Sequence, residues 1–96
     1  MNGGVTLRVY PNPFREKVRL DVGFDFKSLG AKNKASLKVY DALGRLVRDF
    51  SPEALKRGPF DWDGADSHGL KLPGGVYFVR LEHGGTTVTK KVILLR

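Results

Sequence analysis

Residues 61–77 read DWDGADSHGLKLPGGVY and gather Asp61, Asp63, Asp66, His68 and four glycines into one short stretch. Three carboxylates so close together are the hard oxygen ligands that Ca²⁺ takes. The spacing argues otherwise, because an EF-hand loop has its glycine sixth and a glutamate twelfth, and D-x-D-G does not. Turn chemistry accounts for the same residues. Asp63-Gly64 and His68-Gly69 make successive corners, with aspartate side chains accepting backbone N–H groups and glycines taking positive φ. Turns are therefore preferred over calcium for Asp61, Asp63 and Asp66. Pro73, Gly74 and Gly75 extend that account, since a phosphate cradle needs glycines that lead into a helix and these lead into a strand pattern at Val76. No metal and no cofactor is expected.

The other chemistry-bearing residues are as sparse. His68 and His83 are the two imidazoles, and neither has a nucleophile or carboxylate at a catalytic spacing. Ser28, Ser36, Ser51 and Ser67 lack the strand-turn-helix setting of a nucleophile elbow, so no enzyme is expected. Trp62 alternates with Asp61 and Asp63, which places it beside Phe60 on a buried face rather than in water as a ligand-stacking platform. Tyr10, Tyr40 and Phe78 lie on the less apolar faces of their strands, where bases could stack between arginines. Scattered aromatics do not make a nucleic-acid surface, and no specific nucleic-acid partner is expected. Seventeen Lys and Arg against ten Asp and Glu give a charge of +7. That favours polyanions in general, but the cations run evenly from Arg8 to Arg96 as a solvated sheet face requires.

What must position these residues is a set of short strands. Ninety-six residues without cysteine make one domain, 1–96, whose single core is held by packing alone. No apolar run approaches the roughly eighteen residues of a membrane helix, and the start MNGGVTLRVYPNPF lacks a secretory layout. Met1 leads almost directly into a strand pattern, so the expectation is a module taken from a longer parent. Val5, Leu7 and Val9, then Val18, Leu20, Val22 and Phe24, alternate with polar neighbours and predict half-buried strands. Between them Pro11 and Pro13 forbid continued pairing, Asn12 is expected to cap the corner through its side chain, and Phe14 to drop into the edge of the core. Residues 26–36 read as a long polar connection with a disordered tip.

Leu37 and Val39 open a hairpin, YDALGRLVRDF, in which Asp41 starts the turn and Gly44 supplies positive φ. SPEALKRG at 51–58 predicts one or two helical turns, with Ser51 as cap and Pro52 at the first helical position. Phe60 and Trp62 share a face. Val76 to Leu81 is apolar on both faces, as a central strand is, and Gly84 and Gly85 turn it back. In the last strand Val88, Lys90, Val92 and Leu94 share one face, and a bulge at Lys90–Lys91 is expected to keep the lysine out of the core. About seven strands at turn intervals of roughly ten residues predict an all-β, antiparallel immunoglobulin-like two-sheet sandwich.

Taken together, VYPNPF, LKVYDALGRLVRDF, WDGADSHGLKLPGGVYFVRL and KKVILLR, in this order from Val9 to Arg96, resemble a known bacterial pattern. It is that of the type A C-terminal sorting domains of type IX secretion cargo, and of the related immunoglobulin-like domain of flagellar hook-capping proteins. The resemblance implies a non-enzymatic sorting module at the end of a longer exported protein, secreted or held at the cell surface; the alternative it leaves open is a structural assembly module of hook-cap or cell-surface stalk type, with a polyanion-binding domain ranked behind both. Its implied partners are the secretion machinery or neighbouring domains of the parent. Carried over, Pro11, Asn12 and Pro13 form the opening motif, Tyr40, Asp41 and Gly44 the central hairpin, Trp62, Asp63 and Gly64 the WDG turn, and Gly75, Val76 and Tyr77 the return strand. Lys90, Lys91, Val92 and Arg96 lie on the basic terminal strand that the resemblance ties to partner recognition. The lysine-rich segment 23–36 and REK after NPF depart from the pattern.

Overall fold

The computed structural model describes residues 5–24, 35–50, 60–83 and 85–96. Among them run seven strands: β1 (Val5–Tyr10), β2 (Val18–Phe24), β3 (Ala35–Asp41), β4 (Leu46–Phe50), β5 (Phe60–Trp62), β6 (Gly75–His83) and β7 (Thr86–Leu94). Two antiparallel sheets result, one of three strands in the order β1-β2-β5 and one of four in the order β4-β3-β6-β7. The all-β immunoglobulin-like sandwich is borne out. The short helix expected at 51–58 and most of the connection at 26–36 lie outside the described residues. Ala35 and Ser36, read as loop, begin β3 and pair with His83 and Glu82.

Alternation builds the core between the sheets. Leu7, Val18 and Leu20 face inward from one sheet, and Leu37, Val39, Val79, Leu81, Val92 and Leu94 from the other. Central β6 buries Tyr77, Val79, Leu81 and His83 on one face and half-buries Val76 and Phe78 on the other. Trp62, fully buried, lies against the rings of Phe14 at 5.6 Å and Tyr77 at 5.5 Å between centroids, the latter edge-on. Such tilted pairs add about 0.5–1.5 kcal/mol each beyond their buried area.

Two expectations fail. No bulge interrupts β7, which pairs with β6 in unbroken register from Thr86 to Leu94. Lys90 does share a face with Val88 and Val92, yet it is exposed. At the edge of a sheet an inward-facing side chain has no neighbour on one flank, so its aliphatic stem can lead the ammonium out to water. The irregularity lies instead in the β3–β4 pair, where the register shifts between Val39 and Tyr40. The second failure is Asn12, which leaves its own corner to bond a distant strand.

Candidate functional site

The motifs scattered through the sequence converge on one end of the sandwich. Tyr10 ends β1 opposite Arg19 of β2, Val18 pairs with Trp62, and Phe14 bridges in parallel to Leu94, which itself pairs with Gly75. The β1–β2 loop, the Asp41–Arg45 turn, the 63–74 loop and residues 92–96 therefore lie together. Around the end of β7 they form a clasp.

Its first arm is the proline-flanked loop. Pro11 and Pro13 carry no N–H, so at this place a ladder donor must come from elsewhere. Asn12 supplies it: its side-chain Nδ2–H donates to Lys91 O at 2.8 Å, and its Oδ1 accepts from Ile93 N–H at 3.0 Å. Phe14 continues the pairing, its N–H donating to Ile93 O at 2.9 Å and its carbonyl accepting from Leu95 N–H at 2.8 Å. Asn12 thus acts as a peptide group in the ladder. The Phe14 side chain, 2% exposed, anchors the loop in the core.

The second arm is the 63–74 loop. Arg96 donates from Nε to Leu72 O at 2.8 Å and from Nη2 to Gly64 O at 3.0 Å. Gly64 holds φ +76°, and a Cβ there would stand 2.9 Å from Arg96 Nη2 and 3.0 Å from Leu94 Cδ2. A Cβ on Gly74 would press on Leu94 O at 3.1 Å. These two glycines let the loop close over the strand.

The three aspartates serve separate ends. Asp61 faces Lys17 at 3.7 Å and Arg19 at 3.3 Å. Asp63 Oδ1 accepts from Ala65 N–H at 3.1 Å, with Arg48 Nη1 at 3.9 Å. Asp66 Oδ1 accepts from His68 N–H at 2.9 Å and Leu70 N–H at 3.0 Å, and chiefly the Leu70 bond lowers its pKa. Among the described residues no group of three His, Asp or Glu side chains could hold a metal ion. Asp41 works as Asp66 does: its Oδ1 accepts from the N–H groups of Leu43 and Arg45, each at 2.9 Å, and its Oδ2 from Arg45 Nε at 2.7 Å. The Arg45 backbone bond is the main cause of its lowered pKa. Gly44 takes φ +83° as the turn requires.

Trp62 Nε1–H donates to Ala65 O at 2.9 Å, and Tyr77 O–H to Pro73 O at 2.6 Å, so both large rings tie the loop to the core by their polar tips. Burial pushes the Tyr77 phenol above its ordinary pKa. Of the residues tied to partner recognition, Lys90 and Lys91 are exposed, Val92 is fully buried, and Arg96 is engaged with the loop. Tyr40 lies on the outer face of the four-stranded sheet beside Phe78, its partner in β6. The clasp as a unit was missed in the sequence. Its one signal was an amide side chain between two residues that cannot donate.

A family model for secretion-system C-terminal sorting domains matches residues 8–95. No match was found among curated proteins. Two of the solved structures that share the fold are informative. PorZ, an essential surface component of the type IX secretion system of Porphyromonas gingivalis, is 21% identical with a TM-score of 0.66 over 94% of this chain and 11% of its own. Dimeric latent PorU of the same organism is 22% identical with a TM-score of 0.67 over 95% of this chain and 9% of its own. The chain thus spans about a tenth of either protein. The flagellar hook-cap likeness gains no support from these matches. With the family's pattern matched across nearly its whole length, the chain belongs to the secretion-system C-terminal sorting domains.

Proposed function

We propose that residues 1–96 are a single sorting module at the C-terminal end of a longer exported bacterial protein. The module directs that protein through a type IX machinery to the cell surface or the medium. Membership in the sorting family supports the targeting role, and that family is not a catalytic one. The shared fold of PorZ, a type IX component, supports the choice of machinery. Among the described residues no helix is long and apolar enough to cross a membrane.

One observation carries the reading of mechanism: residues 91–95 are bonded on both flanks, by β6 and by the Asn12–Phe14 loop. A terminal segment so held is offered to a receptor as a folded surface and not as a loose peptide. Lys90 and Lys91 are then the recognition charges, whereas Val92 and Arg96 keep the strand seated. Fusing residues 1–96 to the C-terminus of a reporter, in a bacterium with a type IX system, tests this. Export of the native fusion, cut at least several-fold by Lys90→Ala with Lys91→Ala, is expected. Retention of the native fusion inside the cell rejects the reading.

A further inference from the structure

Two turns at the clasp end are built alike. In each an aspartate is followed three residues later by a glycine, Asp41 by Gly44 at φ +83° and Asp66 by Gly69 at φ +84°. Gly44 N–H donates to Asp41 O and Gly69 N–H to Asp66 O, while each aspartate N–H closes its turn, on Arg45 O and on Leu70 O. Both carboxylates fold back on their own turns: Asp41 Oδ1 accepts the N–H of Leu43, and Asp66 Oδ1 that of Leu70. The leucine side chains are held out to water, Leu43 79% and Leu70 67% exposed. Ser67 N–H donates to Val47 O at 3.1 Å, which seats the second turn beside the start of β4.

The residues around them continue the pattern. Among the described residues the exposed large apolar side chains are Tyr10, Leu43, Leu46, Leu70 and Leu95, and all of them belong to this end. Each of the four leucines is followed within two residues by a cation, Arg45, Arg48, Lys71 and Arg96 in turn. Arg45 and Arg48 lie near Asp41 and Asp63, but among the described residues no carboxylate pairs with Lys71 or Arg96. Near the first turn lies a groove of about 400 Å³ lined chiefly by Leu43, Leu46, Leu72, Pro73 and Val76. Asp41 and Arg45 line it too, joined to each other at 2.7 Å.

Exposed apolar side chains gathered in one place mark an interaction surface. Leucine tips with a basic residue behind each, and carboxylates turned inward, suit a surface in which hydrocarbon lies beneath anionic headgroups. Tyr10 is an amphipathic ring of the kind that settles at such a boundary. A protein partner would cover the leucines without calling for a cation beside each one, and a second copy of the chain is opposed by the +7 that both carry.

We propose that the clasp end docks on the surface of an anionic bilayer, with Leu43, Leu46 and Leu70 at the boundary of headgroups and acyl chains and with Lys71 and Arg96 against the lipid phosphates. The docking is independent of the sorting reading, so a failure of export leaves it standing.

The test mixes the chain with sedimentable vesicles of phosphatidylglycerol and phosphatidylcholine. Binding to the mixture is expected, and much weaker binding to phosphatidylcholine alone. Leu43→Ser with Leu70→Ser is expected to weaken it roughly tenfold or more, because two apolar side chains no longer leave water, with the unfolding temperature unchanged. Lys71→Glu is expected to weaken it by a similar factor. In the isotope-labelled chain a spin-labelled lipid should broaden the amides of residues 42–46 and 68–72 ahead of those of Thr6 and Asp21. If the serine variant unfolds early, Lys71→Glu and the broadening pattern decide the matter. No sedimentation at millimolar lipid overturns the proposal, as does broadening centred on another face. Equal binding by a folded serine variant leaves charge attraction alone and overturns it too. Vesicles ignored by a chain whose leucines instead hold a second copy or another protein would give this end to a protein surface, against the proposal.

Discussion

At Asn12 a side chain does the work of a backbone. Removing its amide by Asn12→Ala deletes two hydrogen bonds, and at about 1 kcal/mol net for each the domain should lose roughly 1–2 kcal/mol in a urea titration. The amide of Ile93 should exchange faster in the same variant. The corner itself is legible in the sequence, but the partner of Asn12 is not, because nothing in the chain order says that residues 79 positions apart will touch. The glycines are more legible. Gly44 and Gly64 both hold positive φ, but an added Cβ meets nothing at Gly44 and meets Arg96 and Leu94 at Gly64. Alanine at either site carries about 1–2 kcal/mol of backbone cost, and at Gly64 the loss should be larger and accompanied by release of Arg96. Asp41 and Asp66 set an acid limit. Their folded pKa values lie below the ordinary 3.8, so the stability they add is complete above about pH 4 and drains away as pH falls through the lowered values. Asp41→Asn and Asp66→Asn should each flatten the fall in denaturation midpoint below pH 4.

At the scale of the element, β7 repays comparison with its sequence. Its alternation shows which residues face inward, but whether an inward residue is buried depends on what lies beside the strand, and edge position is a property of topology. A bulge at Lys90 is required only if facing in means burial. Strand order removes that premise. Central β6, apolar on both faces, is readable because a central strand is covered by its neighbours on either flank. Phe14 tests how far the loop before β2 belongs to the core: Phe14→Ala should cost about 3–5 kcal/mol, a large share of the roughly 5–15 kcal/mol available to a small domain. Thermal unfolding should show a fall of well over 10 °C, at about 4–8 °C per kcal/mol. Phe14→Leu should lose far less, and if it loses as much, the ring contact with Trp62 outweighs the filling of the core.

For the whole molecule, the sandwich is legible because seven period-two runs separated by turn residues leave few other architectures open. The meeting of four distant motifs at one end is not, since it follows from pairings between segments remote in sequence. Charge acts at this scale too. With +7 on the chain, association with an acidic partner should weaken as ionic strength rises from about 0.05 to 0.5 M, and surface charges more than about 10 Å from the contact should matter little at about 0.1 M. The parallel bridge between Phe14 and Leu94 has a mechanical meaning. The segments leading to the two ends of the chain run side by side there, so tension applied at both ends drags them past each other. The four hydrogen bonds between them are then loaded together in shear and must break together, instead of peeling one at a time.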